Sequence, residues 1–131
     1  MSNYRITYKN CFDVPNKNKH VYSKAILEKA FAQLTEKLPI MYVADEKQFL
    51  ENNFEIIGAV TDTTFTDNDL IMEVSICNTD LYPESYPLCL CGWDEVEYEP
   101  SEGAFCATEN YRLNCLYPWP DCAFEYELEK I

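Results

Sequence analysis

The chain has 131 residues and a formal net charge of −13, with 47% hydrophobic and 15% aromatic residues. These values exclude a disordered acidic tail, because such a segment holds too few apolar residues to build a core. The length predicts a single domain over residues 1–131. No run approaches the roughly 18 apolar residues of a membrane span, and the first residues lack a signal-peptide core. We therefore expect a cytoplasmic protein without membrane contact.

The charge is divided unevenly along the chain. Residues 1–40 hold seven Lys or Arg and three Asp or Glu, a sum of +4, whereas the remaining 91 residues hold three and twenty, a sum of −17. A body this acidic repels nucleic acid, whose binding depends on contacts between phosphates and Lys or Arg. The composition therefore predicts no direct contact with nucleic acid and a protein partner with a basic surface.

The first third of the chain predicts a strand, a turn and a helix. Residues 4–8 alternate apolar and polar side chains, with aromatic and β-branched types that favour a strand. The Asp, Pro and Asn content of residues 13–19 predicts a turn. Ser23 is a candidate N-cap, and the apolar stripe that follows predicts a helix over about residues 24–37, which Pro39 stops.

The rest of the chain is dominated by short runs of β type. Residues 44–54 are compatible with a short helical turn, and residues 61–69 with an extended strand followed by a hairpin turn. The predicted class is α+β, a mostly antiparallel sheet or small barrel with one main helix packed on it. The predicted strands after the helix cover residues 39–43, 55–61, 70–76, 87–93, 111–117 and 123–128.

Residues 89–93, Cys-Leu-Cys-Gly-Trp, hold the densest group of reactive side chains. Without an export signal the cysteines are expected as reduced, mostly buried thiols. A nucleophilic thiol at Cys89 or Cys91 requires a base or a positive charge to lower its pKa, whereas four carboxylates follow within the next six residues. His20 is the only histidine. We therefore predict a buried strand and no catalytic residue, unless His20 folds over a thiol.

The cysteine spacing does not predict a metal site. Structural zinc sites typically use two pairs of cysteines that are two to four residues apart, whereas Cys89 and Cys91 have a one-residue gap. Adjacent carboxylates that could act as acid and base are expected from abundance alone. We predict neither metal nor cofactor. The remaining cysteines of the last third, which follow no zinc pattern, are Cys106, Cys115 and Cys122.

Carboxylates alternate with apolar residues in two segments, residues 95–99 and 125–129. On a strand, alternate side chains share one face at about 6.5 to 7 Å, close to the phosphate spacing of one nucleic-acid strand. Three interpretations remain open: docking onto a basic protein, mimicry of nucleic acid, or solubility alone. The predicted partner-binding face consists of Asp94, Glu95, Glu97, Tyr98, Glu99, Glu102, Glu125, Glu127 and Glu129.

Several short motifs occur in an order that resembles the tailed-phage prohead maturation proteases, a serine protease family related to herpesvirus assemblins. They are the Asn-rich turn and Tyr before the helix (residues 16–24), Pro-Ile-Met-Tyr at 39–42, Ile-Ile-Gly-Ala-Val at 56–60, Asp-Leu-Ile-Met-Glu-Val at 69–74, Leu-Cys-Gly-Trp at 90–93 and Leu-Tyr-Pro at 116–118. The likeness spans most of the chain.

The resemblance implies a catalytic histidine near Ala44 and Asp45 and a serine at Leu90 or Cys89, so both catalytic groups are missing here. It therefore implies an inactive, phage- or prophage-type protein that acts by contact in capsid assembly or in the virion. Its partner would be a capsid protein or a nucleic-acid-binding protein. The alternative is an acidic, nucleic-acid-mimicking inhibitor of a host defence nuclease, and the less favoured one is an active prohead protease.

Overall fold

The computed structural model describes residues 1–42, 44–51, 53–93 and 96–131. Strands account for 48% of the structure and helices for 12%, so the fold is mostly β and the predicted α+β class is wrong. The main helix is shorter than predicted, and three segments outside the predicted strands, residues 20–21, 96–99 and 104–107, form strands. The ten strands that the described residues form are β1 (Ser2–Lys9), β2 (His20–Val21), β3 (Pro39–Tyr42), β4 (Glu55–Phe65), β5 (Leu70–Ile76), β6 (Leu88–Trp93), β7 (Val96–Glu99), β8 (Ala104–Ala107), β9 (Arg112–Pro118) and β10 (Glu125–Lys130).

Seven of these strands form one sheet in the order β10-β1-β5-β4-β3-β9-β6. All its neighbouring strands run antiparallel except β3 and β9, which are parallel. The other three form a small sheet in the order β2-β8-β7, in which β2 and β8 are parallel. The edges of the large sheet are thus β10, near the end of the chain, and β6, the Cys-Leu-Cys-Gly-Trp strand.

The main helix, α1, covers Lys24–Ala32, and the Ser23 hydroxyl accepts from the Ile26 N–H at 3.1 Å as predicted for an N-cap. The helix ends at Ala32 instead of residue 37. The backbone must already be extended at Leu38, because the Leu38 carbonyl accepts a hydrogen bond from the Val60 N–H. Pairing with β4 therefore ends the helix earlier than Pro39 alone would. A second helix, α2 (Glu46–Leu50), lies within the predicted helical segment, and a 3₁₀ turn covers Thr79–Leu81.

The core is centred on one face of β1. Tyr4, Ile6 and Tyr8 alternate with more exposed neighbours, and each is at most 2% exposed. They face the buried residues of β5 across the antiparallel register, and α1 adds Leu27 and Ala30 to the same core. The alternation of apolar and polar residues over positions 4–8 thus matches the alternation of buried and more exposed side chains in β1.

Strand β6 is only partly buried because it lies at the edge of the sheet. Cys89 is buried, whereas Leu90 and Cys91 are half-buried. A Cβ at Gly92 would lie 2.4 Å from the Arg112 carbonyl oxygen, at the point where the pairing of β6 with β9 shifts register. The glycine of this motif therefore permits a close backbone approach.

Candidate functional site

The acidic hairpin, residues 96–107, joins β7 to β8 in the small sheet. Its turn closes with the N–H groups of Glu102 and Gly103 both donating to the Glu99 carbonyl, and Gly103 adopts φ +62°, which glycine tolerates best. Glu97 and Glu99 are exposed, and both line a groove of about 430 Å³ that Glu109 also lines. Among the described residues, no ion pair involves a carboxylate of this hairpin.

An aromatic row crosses the same small sheet. Tyr98 and Phe105 are register partners with ring centroids 5.2 Å apart, and the Phe105 ring is 5.7 Å from the His20 imidazole. Tyr98 is 56% exposed and Phe105 is 41% exposed. Side chains alternate across a strand, so this row and the carboxylates of Glu97 and Glu99 point to opposite faces of β7.

The second carboxylate row lies on β10, in the other sheet, where basic side chains of β1 neutralise most of it. Arg5 donates to Glu129 and to Glu73 at 2.8 Å each, and these three residues are aligned across β10, β1 and β5. Lys9 pairs with Glu127 at 2.6 Å, and the pKa of Lys9 is raised mainly by this contact. Charged side chains on an edge strand also oppose pairing with another chain.

The structure therefore separates the residues of the predicted binding face. Asp94 and Glu95 lie outside the described residues. Glu97, Tyr98, Glu99 and Glu102 lie on the acidic hairpin, and Glu102 accepts a hydrogen bond from the Cys106 thiol at 3.3 Å. Glu125, Glu127 and Glu129 lie on β10.

A cavity of about 180 Å³ brings together reactive side chains from three parts of the chain. Cys89 comes from β6, Cys122 from the segment between β9 and β10, and His20 from β2. The contacts described for the imidazole are with the rings of Tyr22 and Phe105. Asp121 and Tyr117 also line the cavity. The only histidine thus reaches the same cavity as two thiols, although it is far from both in sequence.

The two thiols of this cavity interact with each other and have different neighbours. Contact with the Cys122 sulfur, followed by burial, raises the pKa of Cys89, whose thiol donates to the Asp121 carbonyl oxygen at 3.4 Å. Contact with the Cys89 sulfur is also the first cause that lowers the pKa of Cys122. Burial opposes ionisation of both sulfurs. The Phe124 N–H and the positive charge of Lys17 lower the pKa of Cys122 further. The thiol at one of the two candidate serine positions of the resemblance therefore has a raised pKa.

A second thiol pair, Cys91 and Cys115, lies on the paired strands β6 and β9. The two residues are direct register partners, and their hydrogen bond is the main cause that raises the pKa of Cys115, followed by burial.

Within the described part of the chain, no three His, Cys, Asp or Glu side chains are arranged to hold a metal ion. Nor does that part contain a helix long and apolar enough to cross a membrane.

Sequence reasoning missed both thiol pairs and the ion pairs of β10. The pair across β6 and β9 required the register of two strands that are more than twenty residues apart. Cys122 lies outside any strand, and no spacing rule relates it to Cys89. The one available signal was the basic N-terminal third, because its Arg5, Lys9 and Lys17 supply the charges for these contacts.

No protein-family model matches the chain, and no curated protein matches it in sequence. Among solved structures, the chain is similar to the bacteriophage T4 capsid assembly protease, gp21, with a TM-score of 0.64 and 18% sequence identity. The match covers 88% of this chain and 81% of the T4 protein. At this identity the likeness shows the fold alone, and it confirms the prohead protease-like fold that the sequence motifs implied.

Proposed function

We propose that the chain is a capsid-assembly or virion component of a phage or prophage, and that it acts by contact with a basic protein surface instead of catalysis. The observation that carries the assembly role is the likeness of fold to the T4 capsid assembly protease over 88% of the chain. Fold alone does not define function, so the activity has to be argued from the site.

The side chains at the family's catalytic positions support a non-catalytic protein. Cys89 occupies one of the two candidate serine positions, and its hydrogen bond to Cys122, together with burial, raises its pKa. A protonated thiol is a weak nucleophile. The candidate histidine position is occupied by Ala44 and Asp45. His20, the remaining source of an imidazole, packs against aromatic rings.

The contact surface that we propose is the acidic hairpin. Glu97, Glu99 and Glu102 are exposed, and the first two project from one face of β7. The β10 row suits a basic partner less well, because Lys9 and Arg5 already neutralise Glu127 and Glu129. Electrostatic complementarity of this kind accelerates association and selects partners, and salt weakens it.

Sedimentation with capsids tests the proposal. The purified chain should co-sediment with proheads or with the major capsid protein of the phage that encodes it, and salt should release it. No capsid protein should be cleaved during the incubation. Absence from the capsid fractions at low salt would end the assembly role. Cleavage that disappears in a Cys89→Ala or His20→Ala variant would instead show an active protease.

A competition assay separates this proposal from nucleic-acid mimicry. A mimic should displace DNA or RNA from the basic groove of a nuclease, in a salt-sensitive manner, while failing to bind capsids. Mimicry of nucleic acid requires a regular row of unpaired charges. On β10, Glu127 and Glu129 form ion pairs, so Glu125 is the one carboxylate of that row for which the described residues show no ion pair. We therefore expect capsid binding without displacement of nucleic acid.

A further inference from the structure

The cavity that contains Cys89, Cys122 and His20 shares no lining residue with the groove of the acidic hairpin. It lies between the edge strand β6 and the segment that precedes β10, and its volume of about 180 Å³ exceeds that of several water molecules. Both thiols are unbridged and buried as whole residues, yet both line the cavity. A small polar molecule that enters the cavity would therefore meet two sulfurs.

The segment that presents Cys122 is held in place by its neighbours. The Cys89 thiol lies 3.4 Å from the Asp121 carbonyl oxygen, and the Lys17 N–H donates to the Ala123 carbonyl at 3.0 Å. Cys122 is thus fixed between two anchored residues, within hydrogen-bonding range of Cys89. This arrangement keeps the two sulfurs together without a covalent link.

We propose that Cys89 and Cys122 form an oxidation site for small hydroperoxides, in which Cys122 supplies the attacking sulfur and Cys89 supplies the resolving sulfur. The Cys122 sulfur attacks the terminal peroxide oxygen, the O–O bond breaks, and the departing alkoxide or hydroxide takes a proton. This leaves a sulfenic acid on Cys122. The Cys89 sulfur then attacks that sulfur, the S–O bond breaks, and water leaves as the disulfide forms. The thiols lose two electrons and the peroxide gains them.

The assignment of roles follows from the asymmetry of the pair. The attacking sulfur needs thiolate character. Cys122 accepts from the Phe124 N–H and lies near the positive charge of Lys17, whereas the Cys89 thiol donates to the Asp121 carbonyl oxygen at 3.4 Å. The other titratable groups that line the cavity or interact electrostatically with the pair are Tyr8, His20, Tyr22, Tyr117 and Asp121.

The Cys91–Cys115 pair supplies a matched control within the same strand. It also consists of two hydrogen-bonded thiols, but no cationic side chain is a cause of the shift at Cys115, and its pKa is raised. Cys91 and Cys115 do not line the cavity. A Cys115→Ala variant therefore removes a second thiol pair, in which Cys115 is buried and Cys91 is half-buried, and leaves the proposed site intact.

The experiment is a peroxide titration of the purified full chain, followed by alkylation and mass spectrometry of peptides. Hydrogen peroxide at low molar excess should link Cys89 to Cys122 before any other thiol reacts, and Cys115→Ala should leave this yield unchanged. In Cys89→Ala, dimedone should trap a sulfenic acid on Cys122.

The variants are compared by circular dichroism and thermal melting before oxidation. If Cys122→Ser fails to fold, Cys122→Ala serves instead, and either should abolish the linkage. The proposal is overturned if exposed Cys77 is oxidised while Cys89 and Cys122 stay reduced, or if dimedone labels Cys89 in the unsubstituted chain. Oxidation of the Cys91–Cys115 pair at the same rate would also overturn it, because the cavity would then confer no selectivity.

Discussion

The carboxylates of β10 and those of the acidic hairpin follow the same alternating sequence pattern but lie in different electrostatic surroundings. On β10, Glu127 and Glu129 are neutralised by Lys9 and Arg5 of the adjacent strand. On the hairpin, Glu97 and Glu99 line an open groove, and the strand beside them carries no basic residue. The β10 carboxylates form ion pairs within the sheet, whereas the hairpin carboxylates are available for a partner. The alternating sequence pattern, which is the same in both segments, does not predict this difference.

The largest expected effect is on binding. A Glu97→Lys and Glu99→Lys double variant should bind a basic capsid partner about tenfold or more weakly at low ionic strength, because it reverses the field of the hairpin. The matched control is Glu28→Lys with Glu36→Lys, at two exposed residues on or near α1. Both double variants change the net charge from −13 to −9. Equal losses in titrations of the two variants would show that net charge, and not the hairpin, governs binding.

The next largest effect is expected on the thermal stability of the sheet edge formed by β10. Arg5→Gln should lower the melting temperature by a few degrees, because it removes two hydrogen bonds and leaves Glu73 and Glu129 without the charge between them. Lys47→Gln, which removes a 4.0 Å contact with Glu51 on an exposed surface, should change it little. Thermal melting by circular dichroism compares the two. Similar melting temperatures for both variants would contradict a structural role for the β10 row.

The carboxylate of Glu84, which belongs to neither row, tests whether a hydrogen-bonded carboxylate stabilises the fold in a pH-dependent way. Glu84 accepts from the Tyr4 hydroxyl at 2.6 Å, and this bond, followed by the charge of Lys130, lowers its pKa from the ordinary value of 4.5. A lowered folded-state pKa stabilises the fold above pH 4.5, and this contribution disappears as the pH falls through the folded-state value.

The melting temperature of the unsubstituted chain should therefore exceed that of Glu84→Gln at neutral pH, and the difference should shrink in acid. The comparison uses melting curves over a pH series with Glu28→Gln as the control for an exposed carboxylate. A difference that is constant over the whole series would rule out the linkage.

The smallest expected effect is on the stability of the hairpin variants. Glu97→Gln with Glu99→Gln should leave the melting temperature unchanged or slightly raised, because no ion pair is lost and like charges are separated. Glu127→Gln with Glu129→Gln should lower it. If the hairpin pair proves the more destabilising of the two, its carboxylates have structural partners and the contrast between the rows fails.

Local chemistry predicted much of the sheet. The alternation in residues 70–76 predicted β5 with the observed bounds, and Ser23 predicted the start of α1. The end of α1 was wrong because it depends on the hydrogen bond between Val60 and Leu38, which are far apart in sequence. The class was wrong for a related reason. β2 and β8 are short, and a two-residue strand such as His20–Val21 has no periodicity to detect.

For the candidate site, the sequence identified the residue types but not their neighbours. It predicted exposed carboxylates on alternating positions, and Glu97 and Glu99 are exposed. It did not predict that Arg5 would lie beside Glu129, which is 124 residues away, or that Cys122 would reach Cys89. It left open whether His20 reaches a thiol, and in the fold His20 lines the same cavity as Cys89 and Cys122.

Side-chain chemistry and spacing along the chain thus determined which segments alternate between core and solvent, where the first helix begins, and that the C-terminal two thirds are strongly acidic. Tertiary structure decided which carboxylates are neutralised and which thiols lie together. The physical reason is that burial patterns repeat over two to four residues, whereas the field at a carboxylate or a sulfur is set by charges within a few ångströms in space, which the sheet order brings from distant parts of the chain.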